Sequence, residues 1–408
     1  MTPKPFGKQY RADFPLEEGY IPMNSGAFGS FPKKFVPLIE NYNEQTEKQP
    51  DRWLRFQAPE KLLKSLESAA PILGCDSSDI VFANNSTTGV NNILRSFPFQ
   101  EGDKILCYQT VYSNCGKTLE FLETYKKVKL VRVHLNYPIE DDDVVRLTRE
   151  AIEREQAKDG THKIKLCLLD AISSLPGVCK PYQRLVKLLK EYDIKSLVDG
   201  AHAIGQIELN LRECDPDFFV TNCHKWLFTP RGCAIMYVAK RNQGIVHPTS
   251  INYAFQYHED AADGSSFREE HYPGVMYMNS FLILDESIKY RESLGGEKAI
   301  REYTHKLAVE GGELVAKMLG TQVMENSTKT LTASMVNVEL PIPSPVSLPD
   351  SQIPNFFMKK AVFEHNTALT VYKNNDKWWV RLCAQIYLDL DDFKATGEVL
   401  LKLIKELE

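Results

Sequence analysis

Apolar and polar positions follow two alternating rhythms from about Pro59 to Val238. Short runs are apolar at nearly every position: "DIVFAN" (Asp79–Asn84), "KILCY" (Lys104–Tyr108), "KLVRVHL" (Lys129–Leu135), "KIKLCLLD" (Lys163–Asp170) and "KSLVD" (Lys195–Asp199). "DFFVTN" (Asp217–Asn222) and "CAIMYV" (Cys233–Val238) continue the series. Such runs predict strands buried on both faces. Between them, "PEKLLKSLESAAPILG" (Pro59–Gly74), "STTGVNNILRSF" (Ser86–Phe97), "CGKTLEFLETY" (Cys115–Tyr125), "IEDDDVVRLTREAIEREQ" (Ile139–Gln156) and "YQRLVKLLKEY" (Tyr182–Tyr192) carry helical periodicity. Strand and helix in alternation predict right-handed βαβ units, hence a mostly parallel sheet covered by helices.

The rhythm stops in the polar stretch from about Arg241 to Tyr272. Beyond it the pattern predicts helices over about Met276–Glu292 and Gly296–Leu319, then a strand in "TASMVNVEL" (Thr332–Leu340). A helix near Gln352–His365, strands in "TALTVY" (Thr367–Tyr372) and "WWVRLCAQ" (Trp378–Gln385), and a closing helix over Asp391–Leu407 complete a smaller α+β domain. The expected organisation of this α/β chain is an N-terminal segment (1–35) that serves the active site, a large domain (36–275) and a small C-terminal domain (276–408). No internal repeat or low-complexity segment is visible.

Composition narrows the function. With 43% hydrophobic and 25% charged residues and a net charge of −5, the chain reads as an ordinary globular protein with no basic face for nucleic acid. No apolar run reaches the roughly 20 residues that span a bilayer, and no secretory signal is visible, so the cytoplasm is the expected location. The nine cysteines are scattered without C-x-x-C spacing, which argues against a zinc site or disulfide framework and for reduced thiols. "NCGKT" (Asn114–Thr118) ends like a phosphate loop, but Val111 stands where the loop needs its first glycine. A dinucleotide fingerprint, an H-E-x-x-H pair and a nucleophile elbow are all absent.

The chemistry-bearing residues stand at strand ends, where ligands bind in open α/β sheets. Asp199 closes an apolar run, and "CHKWLF" places Lys225 among apolar neighbours. A desolvated lysine becomes a nucleophilic amine suited to a Schiff base, and an acid at a strand end can hold a pyridinium protonated. Pyridoxal phosphate (PLP) needs that pair. "NNSTTGVNN" sets Ser86, Thr87 and Thr88 at a helix start, where free N–H groups and the dipole favour a dianion. Taken singly, Asp199 suits a turn, Lys225 a snorkelling side chain and Ser86–Thr88 a plain cap; together they point to PLP.

These motifs, S-T-T at a helix start, then D-G-A-H, then H-K-W-L-F-x-P-R-G, resemble the class V aminotransferases of fold type I. Within them the chain looks most like the isopenicillin N epimerase-like branch, close to fungal hercynylcysteine sulfoxide lyases. The resemblance implies a homodimer with a shared active site. It implies that Lys225 forms the Schiff base and moves protons, that Asp199 pairs with the pyridine nitrogen, and that His202 faces the phenolic oxygen. It also implies that Tyr112 covers the ring, that Ser86, Thr87, Thr88 and His224 hold phosphate, and that Ser174 (or Ser173) lies near the cofactor. Arg381 would take the substrate carboxylate, and Asn24 belongs to a segment closing over the substrate. One departure is Val275, which stands where the family commonly has a threonine that reaches the partner's phosphate.

The resemblance favours β-elimination by a C–S lyase, with Cys115 either a reactive thiol at a helix N-terminus, where a thiolate is favoured, or a buried inert cysteine. An epimerase, an aminotransferase and a cysteine desulfurase use the same cofactor, and a catalytically inactive binding protein is the reading from another class. "WLRF" (Trp53–Phe56) and "NYAFQYHED" (Asn252–Asp260) are candidates to line the substrate side-chain pocket.

Overall fold

The computed structural model describes residues 5–158, 163–255, 265–272, 274–343, 345–346 and 348–407. The apolar runs form a seven-stranded sheet from β1 (Ile80–Ala83), β2 (Lys104–Tyr108), β3 (Lys129–Val133), β4 (Ile164–Asp170), β5 (Lys195–Asp199), β6 (Phe218–Asn222) and β7 (Ala234–Val238). Their spatial order is β1-β7-β6-β5-β4-β2-β3. All pairs are parallel except those of β7, which runs against both β1 and β6. The link from β6 to β7 explains this: it is too short for the crossover that a parallel pair needs. Because β7 opposes both neighbours, β1 points the same way as the other five strands. The ends of β1, β2, β4, β5 and β6 therefore open onto one edge.

Helices α1 (Ala58–Leu73), α2 (Ser86–Ser96), α3 (Ser113–Tyr125), α4 (Asp141–Lys158) and α5 (Tyr182–Glu191) alternate with these strands. The strands are buried at nearly every position, β3 excepted, as a doubly covered sheet requires. The α/β fold expected from the sequence is the fold observed.

The chain then forms a long helix, α6 (Gly296–Leu319), and a three-stranded antiparallel sheet. Its strands are β8 (Met335–Leu340), β9 (Thr370–Asn374) and β10 (Lys377–Cys383), in the order β9-β10-β8. The closing helix α7 (Leu390–Lys405) starts at a capping box formed by Asp389 and Asp392. The single helix expected over Met276–Glu292 is instead two, Asn279–Leu282 and Leu284–Ser293. Near the N-terminus, Ile21–Pro22 pairs in parallel with Thr367–Ala368, and the Cys383 N–H donates to the Met23 carbonyl at 2.9 Å. These bonds bring residues 21–29 over the edge where the strands of the large sheet end. Among the described residues, no helix is long and apolar enough to cross a membrane.

Candidate active site

Five strand ends and the N-terminal segment enclose a cavity of about 420 Å³. Asp199, the last residue of β5, is buried. One carboxylate oxygen accepts from the Ala201 N–H at 2.9 Å and the other from the Cys115 thiol at 3.6 Å. Burial, and then the neighbouring Asp170 carboxylate, push its pKa upward.

Lys225 lies in the helical turn Cys223–Trp226 that follows β6. Its Nζ is 3.1 Å from His202 Nε2, while the Trp226 indole N–H donates to His202 Nδ1 at 3.4 Å. With Nδ1 accepting, the imidazole proton sits on Nε2 and points at the lysine nitrogen. That bond needs a lone pair on Nζ, which becomes available as the pH rises through the lowered value of Lys225. Burial, with Arg381 nearby, lowers Lys225 to about 8, although Asp199 acts the other way. Burial, then the charges of Lys225 and Arg381, hold His202 well below the usual histidine range. Above about pH 8 a neutral lysine faces a neutral histidine, so the nucleophilic amine is released well below the pH at which an ordinary lysine loses its proton. Trp226 was missed as a functional residue because its indole read as core.

At the start of α2, Asn85 caps the helix by accepting from the Thr88 N–H at 2.9 Å. The Asn222 side chain accepts from the Ser86 N–H at 2.9 Å. Ser86 Oγ is buried with no partner among the described residues. His224 is bonded through Nδ1 to the Cys233 carbonyl at 2.8 Å, and burial lowers it to about 4. Its other ring nitrogen is left for the cavity that His224, Ser86, Thr87 and Thr88 line. An unpartnered hydroxyl at the N-terminus of an eleven-residue helix fits a phosphate dianion. A phosphate there would draw a proton onto His224. Asn85 and Asn222 were not singled out from the sequence; the signal for Asn85 was its place directly before S-T-T.

Arg381, on β10, is buried, and among the described residues no carboxylate pairs with it. One terminal nitrogen donates to the Ser174 carbonyl at 2.9 Å, the other to Asn24 Oδ1 at 2.6 Å, and Nε has no partner. Asn24 is held there by the turn that ends at Gly29. A Cβ on Gly29 would stand 1.8 Å from the His224 carbonyl oxygen, at a φ of +62°. Ser174 lines the cavity, whereas Ser173 is buried and turns its hydroxyl to the Pro176 carbonyl at 2.7 Å. Tyr112 caps α3 at the cavity wall and is 41% exposed, free to cover a ring.

Two expectations need correction. Cys115 does stand in the first turn of α3, but it is fully buried, and burial together with Asp199 and Asp170 drives its thiol far up. Desolvation and two carboxylates outweigh the helix dipole, so no thiolate is favoured. "WLRF" does not border the Lys225 cavity: Trp53 packs on Tyr42, and Leu54 and Arg55 line a separate cavity of about 710 Å³. Tyr253 and Val275 line that second cavity too, and Val275 is 95% exposed. Residues 256–260 of the other candidate segment lie outside the described residues.

The aminotransferase class-V family model matches residues 38–346. The chain belongs to the aminotransferase class-V family. It is 30% identical to hercynylcysteine sulfoxide lyase of Schizosaccharomyces pombe over 97% of both chains. It is 31% identical to an L-cysteine desulfhydrase-like protein of Epichloe uncinata, over 99% of this chain and 97% of that one. The apo cysteine desulfurase of Thermococcus onnurineus shares the fold at 18% identity, with a TM-score of 0.78 and full coverage of both chains. As a class-V protein of fold type I the chain is a PLP-dependent enzyme, and the lysine, strand-end acid and phosphate cradle described above fit that cofactor.

Proposed function

We propose that this chain is a β-eliminating C–S lyase acting on a cysteine S-conjugate or sulfoxide, such as hercynylcysteine sulfoxide. One observation carries the reading. Arg381 is a buried guanidinium without a carboxylate partner among the described residues, in the same site as the amine of Lys225. A buried cation of that kind awaits an anion, and its planar fork suits an α-carboxylate. Bound PLP supplies an electron sink for negative charge at Cα.

The chain's own residues do the rest. Arg381 and Asn24 hold the α-carboxylate. Lys225, as the neutral amine, takes the Cα proton and can return it. Asp199 supplies the negative charge that pairs with the cofactor's ring nitrogen, and His202 donates through Nε2. Loss of the β-sulfur group and hydrolysis of the remainder turn a sulfoxide and one water into a sulfenic acid, pyruvate and ammonia. The two relatives above, matched end to end, both carry names of C–S-cleaving enzymes, which favours elimination over epimerisation or amino transfer. A desulfurase needs a mobile exposed cysteine, and all nine cysteines are buried or half-buried.

Exposed apolar side chains at the second cavity, Tyr253 and Val275 among them, support a homodimer formed through that face. The nine unpaired thiols support work in a reducing compartment such as the cytoplasm.

The test is pyruvate release from hercynylcysteine sulfoxide, with cysteine and isopenicillin N alongside and Lys225→Ala as the blank. Pyruvate from the sulfoxide, abolished in the variant, supports the lyase. A cofactor-loaded protein that yields none from any of the three sinks it. Light scattering that finds a monomer at assay concentration sinks the dimer.

A further inference from the structure

Asp199 has a second carboxylate beside it. Asp170 ends β4 as Asp199 ends β5, and the two are direct partners in the parallel register. Adjacent strands lie about 4.8 Å apart, both side chains are buried, and both line the cavity. Two bare carboxylates so placed would share a proton rather than both ionise. Lys180 places a cation against one of them. The chain leaves β4, turns through Ser173–Val178 and returns by the Ile172–Cys179 bridge. That return sets Lys180 Nζ 2.6 Å from Asp170 Oδ2 and 2.9 Å from Thr110 Oγ1. The Tyr108 ring centroid lies 4.6 Å away. The side chain has no solvent exposure. A carboxylate, a hydroxyl and a ring face receive the ammonium's three protons, so this is a built cation site.

The other ionisable groups facing the two acids are Cys115 on α3, Lys225 after β6, Cys107 and Tyr108 on β2, Cys167 on β4 and Tyr137. Burial raises the three thiols and both phenols, so they stay neutral.

We propose that Lys180 is a positioning residue which, through its ion pair with Asp170, confines the site's negative charge to Asp199, the carboxylate that holds the cofactor's ring nitrogen. The inference rests on that role of Asp199. Lys180 is not among the residues that line the Lys225 cavity. It acts by offsetting part of the neighbouring charge, which still raises Asp199, so that the proton is kept off Asp199 more than two bare carboxylates would allow.

The experiment measures the PLP dissociation constant, by fluorescence quenching, and the pH titration of the bound cofactor's visible band. The proteins are the parent, Lys180→Met and the double variant Asp170→Asn/Lys180→Met. Lys180→Met leaves two carboxylates sharing one proton. It should weaken PLP binding by roughly tenfold, the equivalent of one pKa unit, and move the midpoint of the band. The double variant removes both charges and should return to within about twofold of the parent, the limit of simple additivity. A purely structural ion pair would lower the melting temperature of Lys180→Met while leaving PLP affinity and the band unchanged, and that result overturns the proposal. A double variant as defective as the single one also overturns it. Should Lys180→Met not fold, the double variant decides alone: parent-like binding supports the inference, and a tenfold loss sinks it. A parent protein that binds no PLP would instead overturn the cofactor assignment beneath it.

Discussion

At the scale of single residues, the site is organised around one amine whose proton is loosened by its surroundings. Holding Lys225 at about 8 against its ordinary 10.5 has a thermodynamic consequence. Between those values the unfolded chain binds a proton that the folded chain does not, so stability of the cofactor-free protein rises with pH across this window. Below about pH 8 the cost is present in full. Lys225→Met removes it, and should stabilise the cofactor-free protein at pH 7 by about 2 kcal/mol once the lost His202 contact is set against the gain. Thermal melts of both proteins check this. The advantage should shrink as pH climbs to 10 and beyond, and a variant less stable than the parent at pH 7 would contradict the argument. Trp226 makes a second prediction at this scale. Trp226→Phe keeps an aromatic ring but removes the N–H that fixes the His202 tautomer. One lost hydrogen bond of about 1–1.5 kcal/mol corresponds to a roughly tenfold fall in kcat. Bound cofactor should remain stoichiometric by absorbance, because the indole does not hold it.

At the scale of elements, the site depends on how closely the N-terminal segment approaches the lysine turn. Gly29 sits against the His224 and Lys225 carbonyls at a positive φ, with no room for a Cβ. Gly29→Ala should push residues 24–29 away and separate Asn24 from Arg381. A raised KM with nearly unchanged PLP affinity is expected; equal loss of both would mean the turn holds the cofactor rather than the substrate. This scale also marks what the sequence made legible. The "KILCY" and "KSLVD" strands stand within the predicted bounds because a strand buried on both faces reads as an unbroken apolar run. The helix at Ser86 was legible for the same reason that it suits phosphate, namely its polar start. What stayed hidden depends on distant contacts. Nothing local in "NCHKW" says that Trp226 bonds His202, nothing in "GVCK" says that Lys180 lies against Asp170, and a cysteine in the first turn of a helix looks activated until its burial is known.

At the scale of the whole molecule, three separated regions of chain meet at one guanidinium. Arg381 comes from the small sheet, Ser174 from the loop beyond β4 and Asn24 from the N-terminal segment. The proposed function puts substrate binding at the place where both sheets and the N-terminal segment converge, and cofactor binding at the large sheet and its helix starts. The division predicts a separation of effects. Arg381→Lys keeps the charge but loses the planar fork that bonds a carboxylate twice. KM for an amino-acid substrate should rise by about 10–100-fold, equal to about 1.4–2.8 kcal/mol of lost carboxylate binding. PLP affinity should stay within about twofold, as for independent sites. An analogue of the same S-conjugate lacking the α-carboxylate provides the control. It should bind parent and Arg381→Lys equally weakly in a competition assay, because the group that distinguishes the two proteins is missing from it. If the analogue discriminated between them as strongly as the full substrate does, Arg381 would be supporting the fold of the site, and the carboxylate would have to be held elsewhere.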